Sequence, residues 1–151
     1  QPTDLSAMGE SLRASGKRIV FTNGCFDFLH AGHVNFLQEA RALGDVLILG
    51  MNTDEMIARL KGAPRPILKQ VQREKLLAAI QAVDFIVPFD DETPHQLIRD
   101  LRPDLLVKGS NYAATQVEGH EIVESYGGRV VLLPVLEDIS TQDLVSRRNR
   151  P

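Results

Sequence analysis

FTNGCFDFLHAGHVNFLQEA, residues 21–40, changes character halfway along. It opens as the end of a strand and passes through small residues. It closes as an amphipathic helix, with Val34, Leu37, Ala40 and then Leu43 near one stripe and Gly44 as the stop. At the join stand His30 and His33, three apart, with Gly32 between them. A strand that feeds a helix through a short glycine-bearing turn is the start of a β-α-β unit.

The same alternation runs outward in both directions. Residues 4–15 suit a helix on Leu5, Met8 and Leu12, stopped by Gly16, and 17–22 read as the strand before the join. Residues 45–51, DVLILGM, are nearly continuous in apolar character, as expected of a strand covered on both faces. Asn52 or Thr53 then caps a short helix to residue 60. Residues 61–67 hold Gly62, Pro64 and Pro66 and read as a loop. A helix over 69–82 would use Val71, Leu76, Leu77 and Ile80, followed by a strand at 83–89. Thr93 as cap and Pro94 at the first position predict a helix over 93–101. Strands follow at 104–109 and 127–134, and a capped helix at 139–148.

This order predicts an α/β chain with right-handed crossovers: a Rossmann-like three-layer α/β/α fold on a five-stranded parallel sheet. Ligands of such sheets bind beyond the carboxyl ends of the strands. The loops 23–33, 52–54, 108–112 and 134–141 each follow a strand and should converge on that edge.

The chain has 151 residues, enough for one domain, 1–151, with a real core. It is 43% apolar and 25% charged, ordinary for a globular protein, and no apolar run is long enough to cross a bilayer. The start shows no basic-then-apolar secretory pattern, and an upstream domain stays open. Cys25 is the only cysteine, so an internal disulfide is excluded and a reducing cytoplasm is the expected compartment. A net charge of −3 argues against broad nucleic-acid binding, and the basic tail SRRNR is too short to reverse that. A local cationic pocket for a phosphorylated small molecule remains compatible.

On spacing alone the two histidines allow two readings. Residues three apart share a helix face, and a helix start attracts anions, so two imidazoles there can donate to a phosphate. Equally, one can cap the helix while the other sits on the surface. Zinc lacks further ligands, since there is no second cysteine and His95 and His120 stand in distant segments.

The stretch TNGCFDFLHAGH, after a strand and opening a helix, resembles the nucleotide-binding motif of the nucleotidyltransferase superfamily marked by H-x-G-H, here His30-Ala31-Gly32-His33. The resemblance runs collinearly over about residues 5–148. It continues through GDVLILGMNTDE and QREKLLAAIQAVDFIVPF, and the segment from Thr93 through RPDLLVKG together with VEGHEIVESYGGRVVLLP narrows it to the sugar-phosphate branch that adenylates heptose 1-phosphate. It implies a cytoplasmic transferase, free-standing or the C-terminal half of a two-domain enzyme. Its substrates would be ATP with Mg²⁺ and a sugar phosphate; nucleic acid and membrane are not implied. It also implies a homodimer or larger homo-oligomer, and work beside or fusion with a sugar kinase.

The resemblance also implies roles, residue by residue. Thr22, Asn23, Gly24, Cys25 and Phe26 would turn their N–H groups toward phosphates, Gly32 would let the backbone approach, and Asp27 would orient a histidine or help hold Mg²⁺. As a rival, Cys25 is a small buried filler. His30, His33 and Lys61 would be the catalytic donors. Arg65 and Arg73 are further cations, Arg73 at a helix start, with a surface ion pair to Glu74 as its alternative. Lys108, Gly109 and Asn111 would approach the ribose and base, and Ser140 and Thr141 the terminal phosphates, where Ser140 also reads as a plain cap. No residues are assigned as metal ligands.

Two departures stand out. Relatives read K-G-x-D-Y where this chain has Asn111, and S-T-T where it has Gln142. An arginine expected within a turn of the latter is replaced by Val145, with Arg147 two places on. The reaction implied needs no protein nucleophile, because the attacking sugar phosphate is already an anion. Rivals are a cytidylyltransferase or adenylyltransferase for glycerol phosphate, ethanolamine phosphate or FMN, and a nucleotide-binding module without catalysis.

Overall fold

The structure is a computed structural model that describes residues 4–24, 31–61, 68–110 and 113–134, with the backbone alone at 60 and 61. The expected strand at 17–22 forms as β1 (Ile19–Gly24), and the helix after the histidines as α2 (Ala31–Ala42). Around them run α1 (Asp4–Ala14), β2 (Val46–Asn52), α3 (Asp54–Lys61), α4 (Gln70–Ala78), β3 (Phe85–Phe89), α5 (His95–Leu101), β4 (Leu105–Gly109), a 3₁₀ turn (Ala114–Gln116), α6 (His120–Ser125) and β5 (Arg129–Leu133). The helix expected at 139–148 lies outside the described residues.

The five strands make one parallel sheet in the order β3-β2-β1-β4-β5. Side chains alternate between its faces. Ile19, Phe21, Val46, Ile48 and Leu106 pack with Leu5, Met8 and Leu12 of α1, Leu97, Ile98 and Leu101 of α5, and Val123 of α6. Val20, Leu47, Leu49, Met51, Leu105 and Val107 pack on the other face with Leu37 and Ala40 of α2 and Leu77 of α4. The result is the Rossmann-like three-layer α/β/α fold expected, and the apolar run of β2 is buried along its whole length.

Three aspartates set the sheet at its amino edge. Asp45, Asp84 and Asp104 each stand one residue before a strand. Asp45 accepts the Arg18 N–H at 2.7 Å and gives its own N–H to the Arg18 carbonyl at 2.9 Å. Asp84 does the same to Leu47, at 2.8 and 3.0 Å, and Asp104 to Ile19, at 2.8 and 2.9 Å. Each aspartate thus clamps both backbone polar groups of one residue next door, its carboxylate accepting the N–H and its own N–H donating to the carbonyl.

Local expectations differ at α4 and α5, and an open choice is settled at α3. In α4, Leu77 is buried, but Val71 and Leu76 are 74% and 46% exposed. Helix α4 is short and meets the sheet along a narrow line, so the wider stripe read from sequence overshoots. At α5 the capping position is Pro94, with no side-chain cap bond, instead of Thr93. At α3 the choice resolves to Thr53, whose Oγ1 accepts the Met56 N–H at 3.3 Å, because Asn52 belongs to β2.

Edge strand β3 carries Pro88, which lacks an N–H, a residue type confined in sheets to edges, strand starts and bulges. After α5, Arg102 turns the chain in the left-handed region at φ 53°. Its guanidinium lies 4.8 Å from the Tyr126 ring centroid, and the Tyr126 hydroxyl donates to the Pro103 carbonyl at 2.7 Å.

Removing one clamp should loosen the fold measurably. Asp104→Ala strands the part-buried Ile19 N–H and is expected to cost about 1–3 kcal/mol. Asp104→Asn should cost less, because an amide oxygen still accepts. Urea unfolding of the two variants beside the parent measures this; equal midpoints for all three would remove the clamp's role.

Candidate functional site

The strand order reverses between β1 and β4. From β1 the chain winds outward through β2 to β3, then crosses back to β4 and continues to β5. The crevice at such a reversal is where ligands of open α/β sheets bind. Here the two strands also part company. β1 and β2 stay in register over six residue pairs, Ile19↔Val46 to Gly24↔Met51, whereas β1 and β4 share two, Val20↔Leu105 and Phe21↔Leu106. Both strands run on past that point, to Gly24 and to Gly109.

Lys108 spans the opening with its side chain. Its Nζ donates to the Asn23 carbonyl at 2.8 Å, a bond of a part-buried ammonium to a backbone group 85 residues away in sequence. Asn23 and Lys108 therefore lie together, as the convergence of strand-end loops predicts. Thr22 beneath them is buried, and Gly24 ends the strand. Across on β2, Gly50 pairs with Asn23; a Cβ at Gly50 would stand 2.9 Å from the Phe21 ring and 3.3 Å from the Asn23 Cβ. The crevice wall is tightly packed on that side. The Asn23 Oδ1 is buried and has no hydrogen-bond partner among the described residues.

Helix α2 begins beyond β1, with Gly32 buried and His33 half-buried in its first turn. Gly109 ends β4, and the Ser110 N–H donates to the Leu133 carbonyl at 2.8 Å, which fixes where the chain leaves the sheet. Lys61 is the last residue of α3. His30, Cys25, Phe26, Asp27, Arg65, Asn111, Ser140 and Thr141 lie outside the described residues.

Arg73 is placed differently from the expectation of a cation offered to the nucleotide or paired with Glu74. Its side chain is fully buried. Nε donates to the Leu68 carbonyl at 3.1 Å, Nη1 to the Asn52 carbonyl at 2.7 Å, and Nη2 to Asp54 Oδ1 at 2.8 Å. One planar fork thus ties the end of β2, the start of α3 and the approach to α4. Backbone carbonyls leave no trace in a sequence, so the only signal for this junction was Asp54, 19 residues upstream. Burial opposes ionisation of Asp54, but the Gln70 N–H and the Arg73 guanidinium outweigh it and hold its carboxyl below the usual range.

The fold also brings together segments that look distant in sequence. His95 at the start of α5 lies 2.9 Å from Glu118, and His120 lies 3.0 Å from Glu124. His95, Glu118 and His120 line a cleft of about 310 Å³ with Arg99 and Gln116. Among the described residues no three His, Cys, Asp or Glu side chains are grouped to hold a metal ion.

The arrangement agrees with what the chain is similar to. The cytidylyltransferase-like family model matches residues 21–147. The bifunctional protein HldE of Alcanivorax borkumensis is 54% identical over 138 residues, which are 91% of this chain and 29% of that protein. Its counterpart in Geotalea uraniireducens is 49% identical over 143 residues, 95% and 29% of the two. The chain therefore spans less than a third of these relatives' length. Among solved structures, a lipopolysaccharide core biosynthesis protein from Thermoplasma volcanium superposes with a TM-score of 0.64 at 24% identity, covering 80% of this chain and 97% of that one. A protein from Archaeoglobus fulgidus gives 0.62 at 20% identity, covering 82% and 93%. At those identities the two structures show a shared fold.

The Arg73 junction makes a sharp stability test. Arg73→Met takes its donor from Asp54 and from two carbonyls and is expected to cost about 1–3 kcal/mol, because Asp54 is partly exposed and keeps the Gln70 N–H. The folded pKa of Asp54 is lowered, so its stabilising contribution is present at neutral pH and is lost as pH falls through that lowered value. Parent stability should therefore drop on acidification below about pH 4, and Arg73→Met should show a shallower acid limb. Denaturant titrations from pH 3 to 7 measure both; parallel limbs would count against the pair.

Proposed function

The chain belongs to the cytidylyltransferase-like family, and from that premise we propose that it transfers the adenylyl group of ATP to a sugar 1-phosphate, heptose 1-phosphate. An oxygen of the sugar phosphate attacks the α-phosphorus, the bond to the β-phosphate oxygen breaks, and pyrophosphate and the ADP-sugar leave. The observation that carries this reading is the opened reversal point: Lys108 bonded to Asn23 across the parted ends of β1 and β4, with the His33 turn of α2 beyond β1. The choice of adenylyl and sugar phosphate rests on the likeness to the HldE proteins and on the sugar-phosphate segments of the sequence.

The attacking group is already charged, so the protein's task is to hold two anions in line and to neutralise charge developing at the α-phosphate. In the proposal the N–H groups of Thr22 to Phe26 and of the α2 turn at Gly32 face the phosphates, and Asp27 orients a neighbouring histidine. His30, His33 and Lys61 donate to the transition state. Lys108, Gly109 and Asn111 flank the nucleoside, and Ser140 and Thr141 the terminal phosphates. Arg73 contributes by fixing the junction it ties. Mg²⁺ belongs with the ATP phosphates as part of the substrate.

The relatives are named bifunctional and are more than three times as long as the stretch they share with this chain. The proposal accordingly places this domain beside a sugar kinase that supplies the 1-phosphate, in a cytoplasmic homo-oligomer. No described helix is long and apolar enough to cross a membrane.

Pyrophosphate release with ATP or CTP and heptose 1-phosphate tests the reaction; preference for CTP would reassign the nucleotide, and ATP binding without turnover on any acceptor would favour a non-catalytic module. Within it, His33→Ala should lower kcat by about a hundredfold, the usual worth of one transition-state donor. The ATP dissociation constant should change less than about fivefold, because ground-state phosphates keep their other donors. Collapse of ATP binding with kcat preserved would make His33 a ground-state ligand.

A further inference from the structure

We infer that the Asn23 carboxamide reads the substrate, its Oδ1 accepting a hydrogen bond from a sugar hydroxyl of a bound phosphorylated sugar. This rests on the nucleotidyl-transfer reading above and adds to it a side-chain role at a position assigned there only through its backbone.

The argument starts from the cost of a lone acceptor. The Asn23 Oδ1 is shielded from solvent and has no partner among the described residues, whereas buried polar side-chain atoms are nearly always bonded. Leaving such an atom unpaired forfeits its hydration with nothing in exchange. It is the sole buried side-chain nitrogen or oxygen in that condition among the described residues. It stands where the β1–β4 ladder has ended, at the level where Lys108 would have been its neighbour in register. A buried acceptor without a partner calls for an explanation, and at the mouth of a candidate crevice a ligand's donor supplies one.

The atom's chemistry narrows the ligand. An amide oxygen accepts only, so its partner must bring an O–H or N–H. A fully ionised phosphate oxygen brings neither. Alternation along β1 puts Asn23 on the same face as Ile19 and Phe21, and alternation along β4 puts Lys108 on the same face as Leu106; these residues share one cluster. An ammonium and an amide acceptor side by side suit a molecule with a phosphate and a hydroxyl a few bonds apart, which is a phosphorylated sugar. Gly50 bears on the same point: any side chain there would crowd Phe21 and Asn23, so β2 leaves the amide its place without supplying a partner. The sugar is either the ribose of the nucleotide or the acceptor sugar, and the two are separable by experiment.

Asn23→Ala and Asn23→Asp are compared with the parent by melting without ligand, by calorimetry with ATP, and by the KM for heptose 1-phosphate. Asn23→Ala is expected to melt at the parent's temperature or above, since it removes an unsatisfied group and no internal side-chain bond. Its affinity for one of the two ligands should fall about 10–100-fold, and which one identifies the sugar. Asn23→Asp keeps the acceptor and should lose less than Asn23→Ala on the same ligand; if Asp loses more, the amide acts as a donor and the assignment fails. A drop of several degrees in Asn23→Ala, with both affinities unchanged, makes Asn23 structural and overturns the inference. Unchanged affinities with unchanged melting overturn it as well. Parent turnover judges the proposed reaction separately: if the parent binds ATP but turns over no sugar phosphate, that reaction falls, and Asn23 is judged on the ATP titrations and the melting.

Discussion

Everything at the working edge of this sheet depends on three carboxylates at the opposite edge. A parallel sheet covered on both faces has a register problem: when a strand is apolar at every position, slipping it along its neighbour exposes nothing new. β2 comes close to this, buried along its whole length with Asn52 at its end as its one polar residue. Asp45, Asp84 and Asp104 solve the problem with a discrete contact, because an aspartate one residue ahead of its strand, accepting with its carboxylate and donating with its own N–H, can clamp the N–H and carbonyl of only one residue next door. With the strand starts pinned, the strand ends fall at defined heights. Asn23 and Lys108 then come within reach of each other, 85 residues apart in the chain.

The fold was legible because the signals that make it are local. Glycines and prolines separated the elements, and apolar runs of strand length alternated with helical stripes. The edge that carries the candidate site was legible for the same reason, since the loops after parallel strands gather at their carboxyl ends. What escaped was whatever depends on a partner that sequence cannot show. Val71 and Leu76 read as core because hydrophobic spacing reports what a helix can bury, and the width of the surface it meets decides what it does bury. Arg73 read as a free cation because two of its acceptors are main-chain carbonyls. Asn23 read as one more turn residue because the lack of a partner is a property of three dimensions.

Arg73 and Lys108 show how positive charge is divided in this molecule. Both look, in sequence, like groups waiting for phosphate. Arg73 is wholly enclosed and spends its fork on holding β2, α3 and α4 at one junction. Lys108 bonds the Asn23 carbonyl at the crevice itself. The first sets the shape of the wall from which α3 carries Lys61; the second places a charge where a substrate would lie.

The short ladder between β1 and β4 divides the sheet along a seam. On one side β1, β2 and β3 are zipped over five or six residues per pair, and on the other β4 and β5 over five. Between them stand the Asp104 clamp, two register pairs and one lysine bond. The molecule is therefore two stiff leaves bound along a partly stitched spine. The stitching stops at the carboxyl end, where the candidate crevice lies, while α1 packs against α5 across the seam on one face. A ligand seated there bridges the leaves. Its arrival would be felt as slower amide exchange along the inner edges of β1 and β4, a change in rigidity spread well beyond the atoms it touches.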